Sequence, residues 1–66
     1  MNAEVIGTWA GQVLNALNES GKLTVKGLKK ATKLKEKDLY ADLGWLSREG
    51  KVSMYEVDAD IEVVLL

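Results

Sequence analysis

The chain has 66 residues, nine Lys+Arg against ten Asp+Glu, and no His, Cys, Pro or Phe. That length admits one small domain over residues 1–66, and the composition excludes disulfides, thiolate sites and imidazole chemistry. A domain this small hides only about 60% of the surface its unfolded chain exposes, and its core rarely supplies more than roughly 3–5 kcal/mol, so a homodimer is an early expectation.

Residues 4 to 18 read as an amphipathic helix, because Ile6, Ala10, Val13 and Leu17 recur at helical spacing with Trp9 and Leu14 on the shoulders of the stripe. Gly21, after Asn18-Glu19-Ser20, is its stop signal, and a short extended piece centred on Leu23 follows. Thr24 then caps a second helix from Val25 to Thr32. It turns Val25, Leu28, Ala31 and Thr32 one way and Lys26, Lys29, Lys30 and Lys33 the other, within an arc of about 100°. Lys33-Leu34-Lys35 forms a tight turn into a third helix, about 36 to 48, whose Leu39, Leu43 and Leu46 share a face. Glu36 and Asp38 suit the dipole at its start, and Arg48 with Gly50 suits its end. Beyond Gly50, Val52, Met54, Tyr55 and Val57, the polar Asp58-Ala59-Asp60, and Ile61, Val63, Val64, Leu65 and Leu66 read as a hairpin. The expected class is α+β, with a core of Ile6, Trp9, Val13, Leu17, Leu23, Leu28, Leu34, Leu39, Leu43, Leu46, Val52 and Ile61.

Charge is balanced in total and unequal along the chain. Residues 22–37 hold seven lysines and one acid, a local charge of +6 within a net charge of −1, so the rest carries −7, most of it after residue 37. This polarity suits a local anionic partner but gives no long-range attraction of the kind a strongly basic protein exerts. The opening Met1-Asn2-Ala3-Glu4 lacks the features of a secretory signal, and the terminal Val63-Val64-Leu65-Leu66 falls far short of the ~20 residues of a membrane span. A cytoplasmic protein without a membrane partner is expected.

The phrases Gly21-Lys22-Leu23-Thr24-Val25 before helix two, Leu39-Tyr40-Ala41-Asp42-Leu43-Gly44-Trp45-Leu46 in helix three, and Arg48-Glu49-Gly50-Lys51-Val52 entering the hairpin resemble winged helix-turn-helix domains. The resemblance covers nearly the whole chain and is nearest to small stand-alone prokaryotic winged-helix proteins of unknown function. It implies three helices, a short strand before helix two and a C-terminal two-stranded β-hairpin wing. It also implies DNA binding as the commonest use, with helix three in the major groove and the hairpin on a neighbouring phosphate or the minor groove. That family often opens helix three with Ser or Thr; Lys35 stands there in this chain, which weakens the cap and adds positive charge.

Three surfaces are candidates. The first is the outward face of helix three, Lys37, Ala41, Gly44 and Arg48, bare enough for a groove, with Arg48 within reach of a guanine edge or a phosphate. Asp38 and Asp42 near its edge oppose that use, and the alternative is a solvated face on which Gly44 allows close packing. The second is the lysine face Lys26, Lys29, Lys30 and Lys33, continued by Lys35 and Lys37, which reads either as a phosphate track or as a solubilising face of good helix formers. The third is apolar: Trp45 with Tyr55, Val57, Val64 and Leu66, which cannot share a hairpin face with Val52, Met54, Ile61, Val63 and Leu65. A strand ending in Val63-Val64-Leu65-Leu66 reads as an edge open to pairing, and Gly7, Gly11, Asn15 and Asn18 offer a small neutral helix face. The leading function is therefore a transcription-regulator-like binder of double-stranded DNA. The alternative is a protein-interaction or homodimerisation module on the same fold.

No pattern points to an enzyme. Asp38 and Asp42, at i and i+4, read as a solvated pair, and Ser20, Ser47 and Ser53 have no base nearby in sequence. Asp58-Ala59-Asp60-Ile61-Glu62 shares only its opening spacing with a calcium loop, and phosphate-cradling glycine patterns are absent. No metal, cofactor or small-molecule site is expected.

Overall fold

The computed structural model describes residues 2–66, the side chains of Ala3 and Ile6 excepted, so the expected burial of Ile6 lies outside the described residues. Its elements are α1 (Ala3–Ser20), β1 (Lys22–Thr24), α2 (Val25–Thr32), α3 (Glu36–Arg48), β2 (Val52–Val57) and β3 (Asp60–Leu65).

Local chemistry sets each boundary. Asn2 caps α1, its side-chain oxygen accepting from the Val5 N–H at 2.9 Å. The helix runs on through Asn18-Glu19-Ser20 to Gly21, whose φ of 84° an L side chain rarely adopts and whose N–H donates to the Leu17 carbonyl at 2.7 Å. Thr24 caps α2 by accepting from the Gly27 N–H at 3.1 Å. Lys33 closes it in the left-handed region at φ 63°, while the Thr32 hydroxyl donates to the Leu28 carbonyl and accepts from the Leu34 N–H. Lys35 begins α3 without a side-chain cap. Gly50, at φ 70°, ends it through two bonds of a Schellman motif: Lys51 N–H to the Leu46 carbonyl at 2.9 Å and Gly50 N–H to the Ser47 carbonyl at 3.1 Å. Between β2 and β3 the loop is only Asp58-Ala59, with Asp58 at φ 56°, a conformation aspartate tolerates better than most residues.

The sheet is antiparallel, in the order β1-β3-β2. The strand ending in Val64 and Leu65 is therefore the central one, paired on both sides, and not the open edge that its apolar run suggested; the edges are β1 and β2. The short extended piece supplies the third strand, setting Leu23 opposite Val63. The β2–β3 register sets Val52 opposite Leu65 and Met54 opposite Val63, and in alternation Ser53 opposite Val64 and Tyr55 opposite Glu62. The outer face is partly polar: Glu62 accepts from the Tyr55 hydroxyl at 2.7 Å and lies 3.9 Å from the Lys22 ammonium.

The helices cover the inner face. Ala10, Val13, Leu17, Val25, Leu28, Leu39, Leu43, Leu46, Val52 and Val63 are buried, with Leu23, Leu34 and Ile61 half-buried against them. Trp9 is half-buried rather than central, and Ala31 is exposed, not turned inward with Leu28. The largest departure is Asp42. Expected to be solvated beside Asp38, it is 0% exposed, and Asp38 is half-buried. Its place on the helix follows from α3's two flanks. Tyr40 and Gly44 border the wing, and Asp42 lies about 160° round the helix from Tyr40 at 100° per residue.

Candidate nucleic-acid interface

Lys26, Lys29 and Lys30 on α2, Lys33 and Lys35 in the turn, and Lys37 in the first turn of α3 are all exposed. The helix beneath them is held close to β1: a Cβ on Gly27 would come within 3.3 Å of a Leu23 methyl carbon. Buried Val25 and Leu28 on its other side turn the lysines outward. The one acid of this stretch, Glu36, lies 3.9 Å from the Lys29 ammonium, linking α2 to the start of α3 across the turn. Both side chains are exposed, so this pair guides geometry more than it adds stability. Because Lys35 gives no side-chain cap, the first-turn N–H groups of α3 lack a side-chain acceptor, with Lys33, Lys35 and Lys37 around them.

Along α3 the exposed residues are Glu36, Lys37, Tyr40, Gly44, Trp45 and Arg48, whereas Ala41 is half-buried. The outward face is thus shifted from Ala41 toward Tyr40. Tyr40, Gly44, Leu43, Met54, Tyr55 and Ile61 line an open, mostly apolar groove of about 230 Å³ between α3 and the wing, with Glu56 at its rim. No atom lies within 4 Å of where a Cβ on Gly44 would stand, so close packing within this chain does not require that glycine. Tyr40 and Met54 are absent from the surface that spacing alone predicts. Tyr40 sits three residues after Lys37 and four before Gly44, which was the available signal; Met54 is in phase with the core strand positions but 38% exposed.

The wing has little for phosphates. Glu56 and Asp58 are exposed near its tip and Asp60 is half-buried there, while Lys51 is the only basic residue after Arg48. The expected apolar interface is not one patch. Tyr55 and Val57 are exposed on edge strand β2, Val64 is half-buried in the central strand, and Leu66 is exposed at the chain end. Trp45 lies on α3 about 140° round from Tyr40, away from the wing groove. The bond from Tyr55 to Glu62 raises the phenol above its ordinary pKa, with smaller contributions from burial and the carboxylate's charge. A second open cleft, of about 310 Å³, separates α1 from α2 and is lined by polar groups including Gln12, Asn15, Glu19 and Thr32. No helix among the described residues is long and apolar enough to cross a membrane.

The HTH pair followed by a small antiparallel wing defines a winged helix-turn-helix domain. The model of the family described as winged helix-turn-helix domain (DUF2582) matches residues 1–65, and the chain belongs to that family. A comparison with curated proteins found no match. Among solved structures, the solution NMR structure of BT2368 from Bacteroides thetaiotaomicron is similar at 31% identity and a TM-score of 0.85, over 98% of this chain and 79% of that one. BpsR of Bordetella bronchiseptica, whose DNA binding is regulated by 6-hydroxynicotinic acid, shares the fold at a TM-score of 0.81 and 19% identity, over 88% of this chain. This chain spans only 42% of BpsR's length.

Proposed function

We propose that this domain binds double-stranded DNA in the manner of a transcription regulator. The observation that carries the reading is the run of exposed lysines along α2 and its turn into α3, with the uncapped start of α3 among them. In this reading Lys26, Lys29, Lys30, Lys33 and Lys35 position the domain on phosphates, and the start of α3 adds backbone N–H donors and the positive end of a helix dipole. Lys37, Tyr40, Gly44 and Arg48 face the groove, Ala41 contributing less because it is half-buried. The acids near the wing tip disfavour the implied wing–phosphate contact, so binding rests on the HTH unit. BpsR's DNA binding, on a shared fold, agrees with this use. The test is fluorescence anisotropy of a labelled random duplex at about 50 and about 200 mM salt, where phosphate-driven binding weakens steeply. Lys26→Glu with Lys30→Glu, which spares the Lys29–Glu36 pair, should abolish binding with little change in the thermal unfolding curve; undiminished affinity refutes the phosphate assignment.

One observation favours a second reading, a cytoplasmic homodimer or protein-docking module: the groove beside α3 is apolar, with Tyr40, Met54 and Tyr55 each more than a third exposed around it. Val64, half-buried in the central strand, is unsuited to testing it because a charge there would damage the sheet. Met54→Glu is the better probe. If the groove closes a dimer, sedimentation should show a dimeric mass for the wild type and a monomeric one for the variant; monomers in both refute that interface.

A further inference from the structure

Asp42 sits on the shoulder of the leucine face of α3, three residues after Leu39 and four before Leu46, and is 0% exposed. Neither of its carboxylate oxygens has a hydrogen-bond partner among the described residues. Buried carboxylates in folded proteins are ordinarily paired, because an ionised one without a partner loses hydration and gains nothing in return. Among the described residues the surroundings offer no compensation. The elements packed against α3 are α1, α2 and β2, whose titratable and charged groups are Glu4 and Glu19, then Lys26, Lys29 and Lys30, then Tyr55 and Glu56. All of these are exposed. On α3 itself stand Glu36, Lys37, Asp38, Tyr40 and Arg48, and beside β2 stands Glu62 of β3, engaged with Tyr55 and Lys22. None is paired with Asp42 among the described residues.

We propose that Asp42 is a proton-operated latch on α3: with its carboxyl neutral the helix seats fully on the core, and with the carboxylate ionised this stretch loosens until the charge reaches water. Seating and ionisation oppose each other because, among the described residues, the buried position holds neither a paired cation nor a hydrogen-bond donor for the oxygens. This property is independent of what α3 contacts. It would make the outward face of α3 sensitive to pH, even though the chain has no histidine.

The direction follows from linkage. Desolvation raises the Asp42 pKa from 3.8 to about 6 in the seated state, whereas a loosened or unfolded Asp42 titrates near its ordinary value. The seated state therefore holds the proton more tightly. Its advantage is complete below pH 3.8, falls by about tenfold per pH unit up to about 6, and is level above that.

The test follows the Asp42 side-chain carboxyl by carbon NMR from pH 3.5 to 8 and, in parallel, amide hydrogen exchange corrected for intrinsic rates. The expected carboxyl midpoint lies near 6, with the opening equilibrium of α3 amides rising by about 30-fold between pH 4 and pH 6 relative to Asp42→Asn, and β3 amides responding less. A midpoint near 4 overturns the latch, as does an α3 response identical in wild type and variant or shared equally by β3. Should Asp42→Asn fail to fold, the wild-type carboxyl midpoint and the α3-against-β3 comparison still decide.

Discussion

Lys35 holds the residue that opens α3, and a lysine there has no oxygen to accept from the first-turn N–H groups. Replacing it by serine separates two roles of that residue. Lys35→Ser should stabilise the domain by about 1 kcal/mol through the new cap, read as a shift of the urea midpoint at unchanged slope. If the lysine also meets a phosphate, the same variant should bind duplex more weakly, with the slope of log affinity on log salt shallower by about 0.9. An unshifted midpoint would mean that the N–H groups already have good partners. The lysine at the head of the helix is visible in the sequence because capping is local, set by one residue and its near neighbours. Asp42 is the opposite case. By angle it sits on the shoulder of the leucine stripe, and whether a shoulder is wet or dry depends on the element packed there, which comes from elsewhere in the chain. The same distinction explains Tyr40: its exposure depends on how far the wing reaches along α3.

Helices and turns were legible element by element for the same reason. Thr24, Gly21 and Gly50 mark ends by backbone chemistry that operates within a few residues, and the structure uses each of them for the expected bond or dihedral. The period of Leu39, Leu43 and Leu46 likewise identifies α3 and its buried side. Sheet order is not local. β1 has three residues, too few to announce a partner, yet its pairing with β3 turns an apparent edge into a centre. That pairing changes how the apolar outer positions are read. Val64 is flanked by Lys22 on one strand and Ser53 on the other, and the adjacent row holds the Tyr55–Glu62 hydrogen bond and the Lys22–Glu62 ion pair. The outer face is thus partly satisfied within the chain, and the exposed apolar area moves to the groove between α3 and β2. The edge strands carry some protection of their own, β1 in its shortness and its lysine, β2 in Glu56.

At the scale of the molecule, the charge split in the sequence becomes a split in space between a basic HTH and an acidic wing. In the proposed DNA-binding reading, a duplex lying along α2 and the start of α3 would meet the lysines first, and the acids of the wing would then limit how closely the domain approaches. With a net charge of −1, no general attraction offsets that repulsion, so affinity depends on which side faces the phosphates. The wing can be altered without disturbing the core, since Glu56 and Asp58 are both exposed. Asp58 is best changed to asparagine, which also tolerates its left-handed backbone at φ 56°. Glu56→Lys combined with Asp58→Asn should leave stability within about 0.5 kcal/mol of wild type. At about 50 mM salt the pair should strengthen duplex binding by roughly tenfold, with a steeper salt dependence because a cation is added where two anions stood. Anisotropy titrations at two salt concentrations measure both quantities. Unchanged affinity and slope would place the wing away from the duplex, leaving the lysines of α2 and the start of α3 as the whole electrostatic contact.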